Sequence, residues 1–132
     1  MLMPAISVRQ PWPWAMFYAG KGIENRSWPL PLKYVGVPVL LHASKRLDAV
    51  AVKQLIADGF NVPPSLPLGG IVGITVFTGS TLNGGCGFWA QPDFHHWLMD
   101  AKRTLELPFF PCNGRLGFFM ADYPYTLPEF AK

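Results

Sequence analysis

The sequence predicts an α+β fold, a small mixed β-barrel with two or three short helices, and four observations predict it. Thirteen glycines and 14 prolines cut the chain into short elements and argue against a helix bundle. Half of the 132 residues are apolar and 14% are charged, far from the composition of a disordered chain. That length suits one hydrophobic core, so residues 1–132 are read as a single domain. Short apolar runs outnumber helical patterns and alternate with them too seldom for a parallel α/β sheet.

The elements follow in order. Ala5–Val8 is apolar and β-branched and reads as a strand. Pro11 suits the first turn of a helix, Trp12, Met16 and Tyr18 or Ala19 follow at helical spacing, and Gly20 is a natural stop. Ile23–Arg26 is a brief extended segment, and Ser27 to Gly36, with Pro29 and Pro31, is a loop. Val37–Ala43 reads as a buried strand, with Pro38 tolerated at its start. Asp48 to Ala57 carries a helical apolar face and stops at Gly59. Asn61 to Gly70 is a proline-rich loop, Gly70–Thr78 a strand, and Thr78 to Gly87 a polar, glycine-rich loop. His95 to Thr104 fits either pattern: Leu98, Ala101 and Lys102 tolerate a helix, whereas Trp97, Met99 and Ala101 alternate as in a strand. Arg115–Ala121 reads as the last strand, entered through a tight turn at Cys112-Asn113-Gly114.

Charge is unevenly placed. Up to Lys53 there are seven basic residues against two acidic ones, a balance of +5; the remainder has four against six, a balance of −2. Such polarity suggests a patch that attracts phosphates. No run reaches the roughly 18 apolar residues of a membrane-spanning helix, and Met1-Leu2-Met3-Pro4 does not open a signal peptide. A cytoplasmic protein without a membrane partner is expected. Cys86 and Cys112 are not at a metal-ligand spacing and are read as ordinary reduced thiols.

The chemistry concentrates between Arg9 and Lys45. Gln10 falls where a strand meets a helix N-terminus, whose free N–H groups favour anions. Lys21 follows the helix stop. Glu24 and Arg26, two apart in an extended segment, share a face. A lysine, a carboxylate and an arginine on one rim can bind a phosphate or orient the polar edge of a base, and proximity to another cation can lower the lysine pKa. They can equally form a surface salt bridge of little consequence. Neighbouring Trp12, Trp14, Trp28 and Tyr34 can stack on bases or simply pack in the core. His95 and His96, adjacent on a strand, would point to opposite faces and could not jointly chelate. No metal or cofactor is expected.

Arg9-Gln10-Pro11-Trp12, Gly20-Lys21-x-x-Glu24-x-Arg26-Ser27-Trp28, Tyr34-x-Gly36 and His42-Ala43-Ser44-Lys45 together resemble the ASCH (activating signal cointegrator homology) domain, whose fold is similar to the RNA-recognising PUA barrel. The resemblance continues through Gly69–Thr78 and Pro111–Phe118, and by it His95–Thr104 reads as a strand. It implies a cleft that binds RNA, single-stranded nucleic acid or a modified nucleotide through Gln10, Trp12, Lys21, Glu24, Arg26, Trp28, Ser44 and Lys45. A hydrolase in the same cleft, either a ribonuclease or a modified-nucleoside amidohydrolase, is the alternative, with Lys21, Tyr34 and His42 as candidate catalytic groups. The amidohydrolase branch uses a lysine, a threonine three residues later and a glutamate on a later strand. Here position 24 is Glu and the strand Ile71–Phe77 holds no acid, so that activity is not carried over. A protein-interaction domain in transcription or translation is the third reading.

Overall fold

A computed structural model describes residues 2–85 and 87–132 as an α+β fold. Its strands are β1 (Leu2–Val8), β2 (Ile23–Arg26), β3 (Pro38–Ala43), β4 (Gly70–Leu82), β5 (His95–Met99), β6 (Leu105–Pro111) and β7 (Phe118–Asp122), and its helices are α1 (Trp12–Tyr18) and α2 (Ala49–Ala57). Short 3-10 turns cover Leu32–Tyr34, Ala101–Arg103 and Glu129–Ala131. The seven strands form one mixed sheet in the order β2-β5-β4-β3-β1-β7, with β6 also paired to β4. β1 and β3 run parallel and the other pairs are antiparallel.

The sheet is not closed into the barrel that the sequence predicts. Among the described residues its path ends at β2 and β7, which no ladder joins. Side chains bridge the opening instead. Arg26 Nη2 donates to the Ser7 carbonyl at 2.9 Å, and Trp97 of β5 stacks on Phe118 of β7 with planes 8° apart. Phe118 stacks in turn on Tyr34 at 3.8 Å. This aromatic pile belongs to a core with Ile6, Val8, Leu41, Val72 and Phe77. The other side of the sheet buries Met3, Ala5, Leu40, Ile71 and Ile74 beneath Tyr123, Leu127 and Ala131.

β4 runs four residues beyond the predicted strand, into the expected loop. Its register shifts between Phe77 and Gly79, and Gly79–Leu82 then pairs with β5. Cross-strand pairing here overrides the weak strand propensity of Gly79, and β-branched Thr81 suits the extension. β6 went unrecognised in the sequence because Pro108 and Pro111 interrupt it. It pairs with β4 alone, and such an edge position accommodates prolines. The ambiguous His95–Thr104 segment divides into strand β5 and a 3-10 turn over Ala101–Arg103 that Asp100 caps through the Lys102 N–H. Asn113-Gly114 does not close a hairpin, since β6 pairs with β4 and β7 with β1. Residues 112–117 form an irregular connection, and β7 begins at Phe118 rather than Arg115. No helix among the described residues is long and apolar enough to cross a membrane.

Candidate functional site

A cavity of about 1100 Å³ opens between the β1–β3 ends, β2, α2, residues 88–94 and the 113–117 connection. Its inner wall is built by local sequence. Gly20, at φ +71, reverses the chain after α1, a conformation that glycine adopts without strain. The Lys21 N–H then reaches back to the Ala15 carbonyl at 3.1 Å. Lys21 is 4% exposed. Its Nζ donates to the Ile23 carbonyl and lies 3.5 Å from Glu24 Oε1. Glu24 Oε2 accepts from Arg26 Nε at 2.8 Å. The alternation of β2 thus places Glu24 and Arg26 on one face, with Lys21 at the end of the chain of charges. Burial lowers the Lys21 pKa below the ordinary lysine value; Glu24 opposes the shift without cancelling it.

Aromatic rings lie against these cations. Lys21 Nζ is 5.5 Å from the Trp12 ring centre, and the Arg26 guanidinium is 5.5 Å from Trp28 and 5.7 Å from Trp97, within cation–π range. The opposite face of the β2–β5 ribbon holds Gly85 and residues 87–94. Asn25 Nδ2 donates to the Trp89 carbonyl at 2.9 Å and Asn25 Oδ1 accepts from the Gln91 N–H at 3.1 Å. His96 Nδ1 accepts from the Gly85 N–H at 2.9 Å, while Nε2 donates to the Gln91 carbonyl at 2.6 Å. That segment brings Phe88 and Trp89 to the cavity, packed on Phe60. Both nitrogens of His96 are engaged in holding it.

The mouth is cationic. Arg9, Lys45, Arg46 and Arg115 are exposed and line the cavity, and among the described residues none has an ion pair. Asp48 and Asp58 line it too, but each is occupied on α2. Asp48 caps the helix through the Ala51 N–H at 3.0 Å, and Asp58 accepts from Gln54 at 3.1 Å.

The structure brings together Trp12, Lys21, Glu24, Arg26, Trp28, His42, Ser44 and Lys45 around this cavity. Ser44 Oγ is buried without a hydrogen-bond partner among the described residues. Gln10 and Tyr34 do not line it. Gln10 is 2% exposed and spent on the fold: its Oε1 accepts from the Trp14 N–H at 3.1 Å and its Nε2 donates to the Pro67 carbonyl at 3.2 Å. The Trp12 N–H is bonded to the Arg9 carbonyl and Pro13 has none, so the α1 N-terminus does not offer the free donors expected from the sequence. Tyr34 is in the aromatic pile, and Trp14 packs beside Tyr18 at 6.3 Å. Cys112 is a free, half-buried thiol whose pKa burial raises; Cys86 lies outside the described residues. Ser7, Arg9, Arg46, Phe88, Trp89 and Arg115 line the cavity as well, beyond the site residues that the sequence predicts. The basic bias before Lys53 points toward Arg9 and Arg46, and nothing local marks the others.

No family model matches the chain, and no curated protein matches it in sequence.

Proposed function

We propose that this chain is an ASCH-type nucleic-acid-binding module that takes RNA, single-stranded nucleic acid or a modified nucleotide into the cavity. The observation that carries this reading is that exposed cations and aromatic rings line the same cavity. Arg9, Lys45, Arg46 and Arg115 suit a phosphate backbone, while Trp12, Trp28, Phe88 and Trp89 suit stacked bases. The buried Lys21–Glu24–Arg26 chain fixes the inner polar edge. The open, side-chain-bridged sheet is read as a relative of the PUA barrel.

The test is fluorescence anisotropy with a labelled single-stranded RNA 12-mer across a salt series. Tight binding at low salt is expected, with log K falling by about 0.7 per phosphate contact for each unit of log salt. Absence of binding at low salt would overturn the reading, and so would affinity unchanged by replacing all four mouth cations with alanine.

A further inference from the structure

Beside the ion-paired wall, the cavity holds a reactive arrangement. Ser7 of β1 and His42 of β3 are register partners in the parallel ladder, and Ser7 Oγ lies 3.0 Å from His42 Nδ1. Across the ring, His42 Nε2 is 2.8 Å from the Cys112 carbonyl oxygen. A carbonyl only accepts, so in the neutral ring Nε2 carries the proton and Nδ1 presents its lone pair to Ser7. The hydroxyl therefore donates to the imidazole. His42 is 2% exposed and held edge-on by Phe119, yet both members of the pair line the cavity.

Two neighbours fit a reactive role. A Cβ at Gly114 would come within 2.4 Å of Ser7 Oγ and 2.6 Å of His42 Cε1, so glycine there leaves the pair room. Arg26, bonded to the Ser7 carbonyl, fixes a cation against the same residue. A hydroxyl bonded to a histidine whose other nitrogen is oriented by a third group is the arrangement that activates an oxygen nucleophile.

We propose that Ser7 and His42 are a nucleophile–base pair that hydrolyses a carboxylic ester of a phosphorylated alcohol. Ser7 Oγ attacks the ester carbonyl carbon as His42 Nδ1 takes the hydroxyl proton. The carbon–oxygen bond to the alcohol breaks, and the alcohol leaves with the proton returned by His42. Water, deprotonated by His42 Nδ1, then attacks the acyl carbon; the bond to Ser7 Oγ breaks, His42 returns the proton to that oxygen, and the carboxylic acid leaves. The phosphorylated alcohol is inferred from the cationic mouth, and that part alone rests on the nucleic-acid reading above.

Diisopropyl fluorophosphate, which phosphorylates activated serines with loss of fluoride, tests the pair in the full chain by intact and peptide mass. A single adduct on Ser7 is expected, absent in Ser7→Ala and formed about 10²-fold or more slowly in His42→Asn. Gly114→Ala, which intrudes on the pair without replacing either member, slows labelling as well; circular dichroism of each variant establishes that it is folded. No adduct, an adduct elsewhere, or parental labelling in His42→Asn overturns the pair. Adenosine 5′-monophosphate is expected to slow labelling, and labelling indifferent to it overturns the phosphorylated substrate class. Labelling without RNA binding leaves the pair standing and removes the nucleic-acid reading; RNA binding without labelling does the reverse.

Discussion

The inner wall and the mouth of the cavity use the same kinds of side chain for opposite purposes. On the wall, Lys21 and Arg26 are committed to Glu24 and to backbone carbonyls, and Lys21 and Glu24 are almost wholly buried. At the mouth, Arg9, Lys45, Arg46 and Arg115 are exposed and have no ion pair among the described residues. A buried charge in a chain of pairs is part of the fold, because removing one member strands the others away from water. An exposed unpaired charge costs the fold little and remains available to a ligand. The residues with the most conspicuous spacing in the sequence are therefore the least suitable for testing ligand binding by deletion.

Substitutions can break that contrast. The largest effect is expected for Glu24→Ala, which leaves Lys21 and Arg26 without their shared carboxylate. A loss of about 3–5 kcal/mol in urea unfolding is expected, and a loss no larger than that of a mouth variant would abolish the distinction. Gln10→Ala comes next. It frees the Trp14 N–H and the Pro67 carbonyl, costing about 1–3 kcal/mol, while RNA affinity of the folded protein stays at the parental value. Replacing Arg9, Lys45, Arg46 or Arg115 singly by alanine should change stability by no more than about 0.5 kcal/mol. Each such replacement should make the salt dependence of RNA binding shallower by about 0.7, as read by anisotropy.

The smallest effect concerns pH. Burial holds the Lys21 pKa below its ordinary 10.5, so in alkaline solution the unfolded chain retains this proton after the native chain has lost it. Stability contributed by this group then rises with pH, from the lowered native value up to the unfolded one. Urea midpoints of the parent measured against Lys21→Met across that range should show the rise, and parallel profiles would refute it.

What was legible in the sequence was local. Glu24 and Arg26, two apart in a strand, do meet on one face, and Gly20 does end α1 and deliver Lys21 to the wall. Gln10 was misread for a physical reason. A polar side chain at a strand–helix junction looks like a ligand group, but a proline-containing first turn leaves one N–H to satisfy, and Gln10 satisfies it. What stayed hidden depended on pairing at long range. Arg115 and Trp89 reach the cavity from segments remote from Lys21, and Ser7 meets His42 across 35 residues. β6, broken by prolines, exists only because β4 offers it an edge.

The register shift in β4 has a consequence for how the molecule comes apart. This one strand pairs with β3 and β6 through its first half and with β5 through its second, and β5 in turn carries β2 and the inner wall. Both halves of the sheet are held together through β4, so opening either half at β4 disturbs the strand that the other half also pairs with. Backbone amides from Ile71 to Ile74, paired on both sides, are therefore expected to be among the last to exchange with solvent in native-state hydrogen exchange.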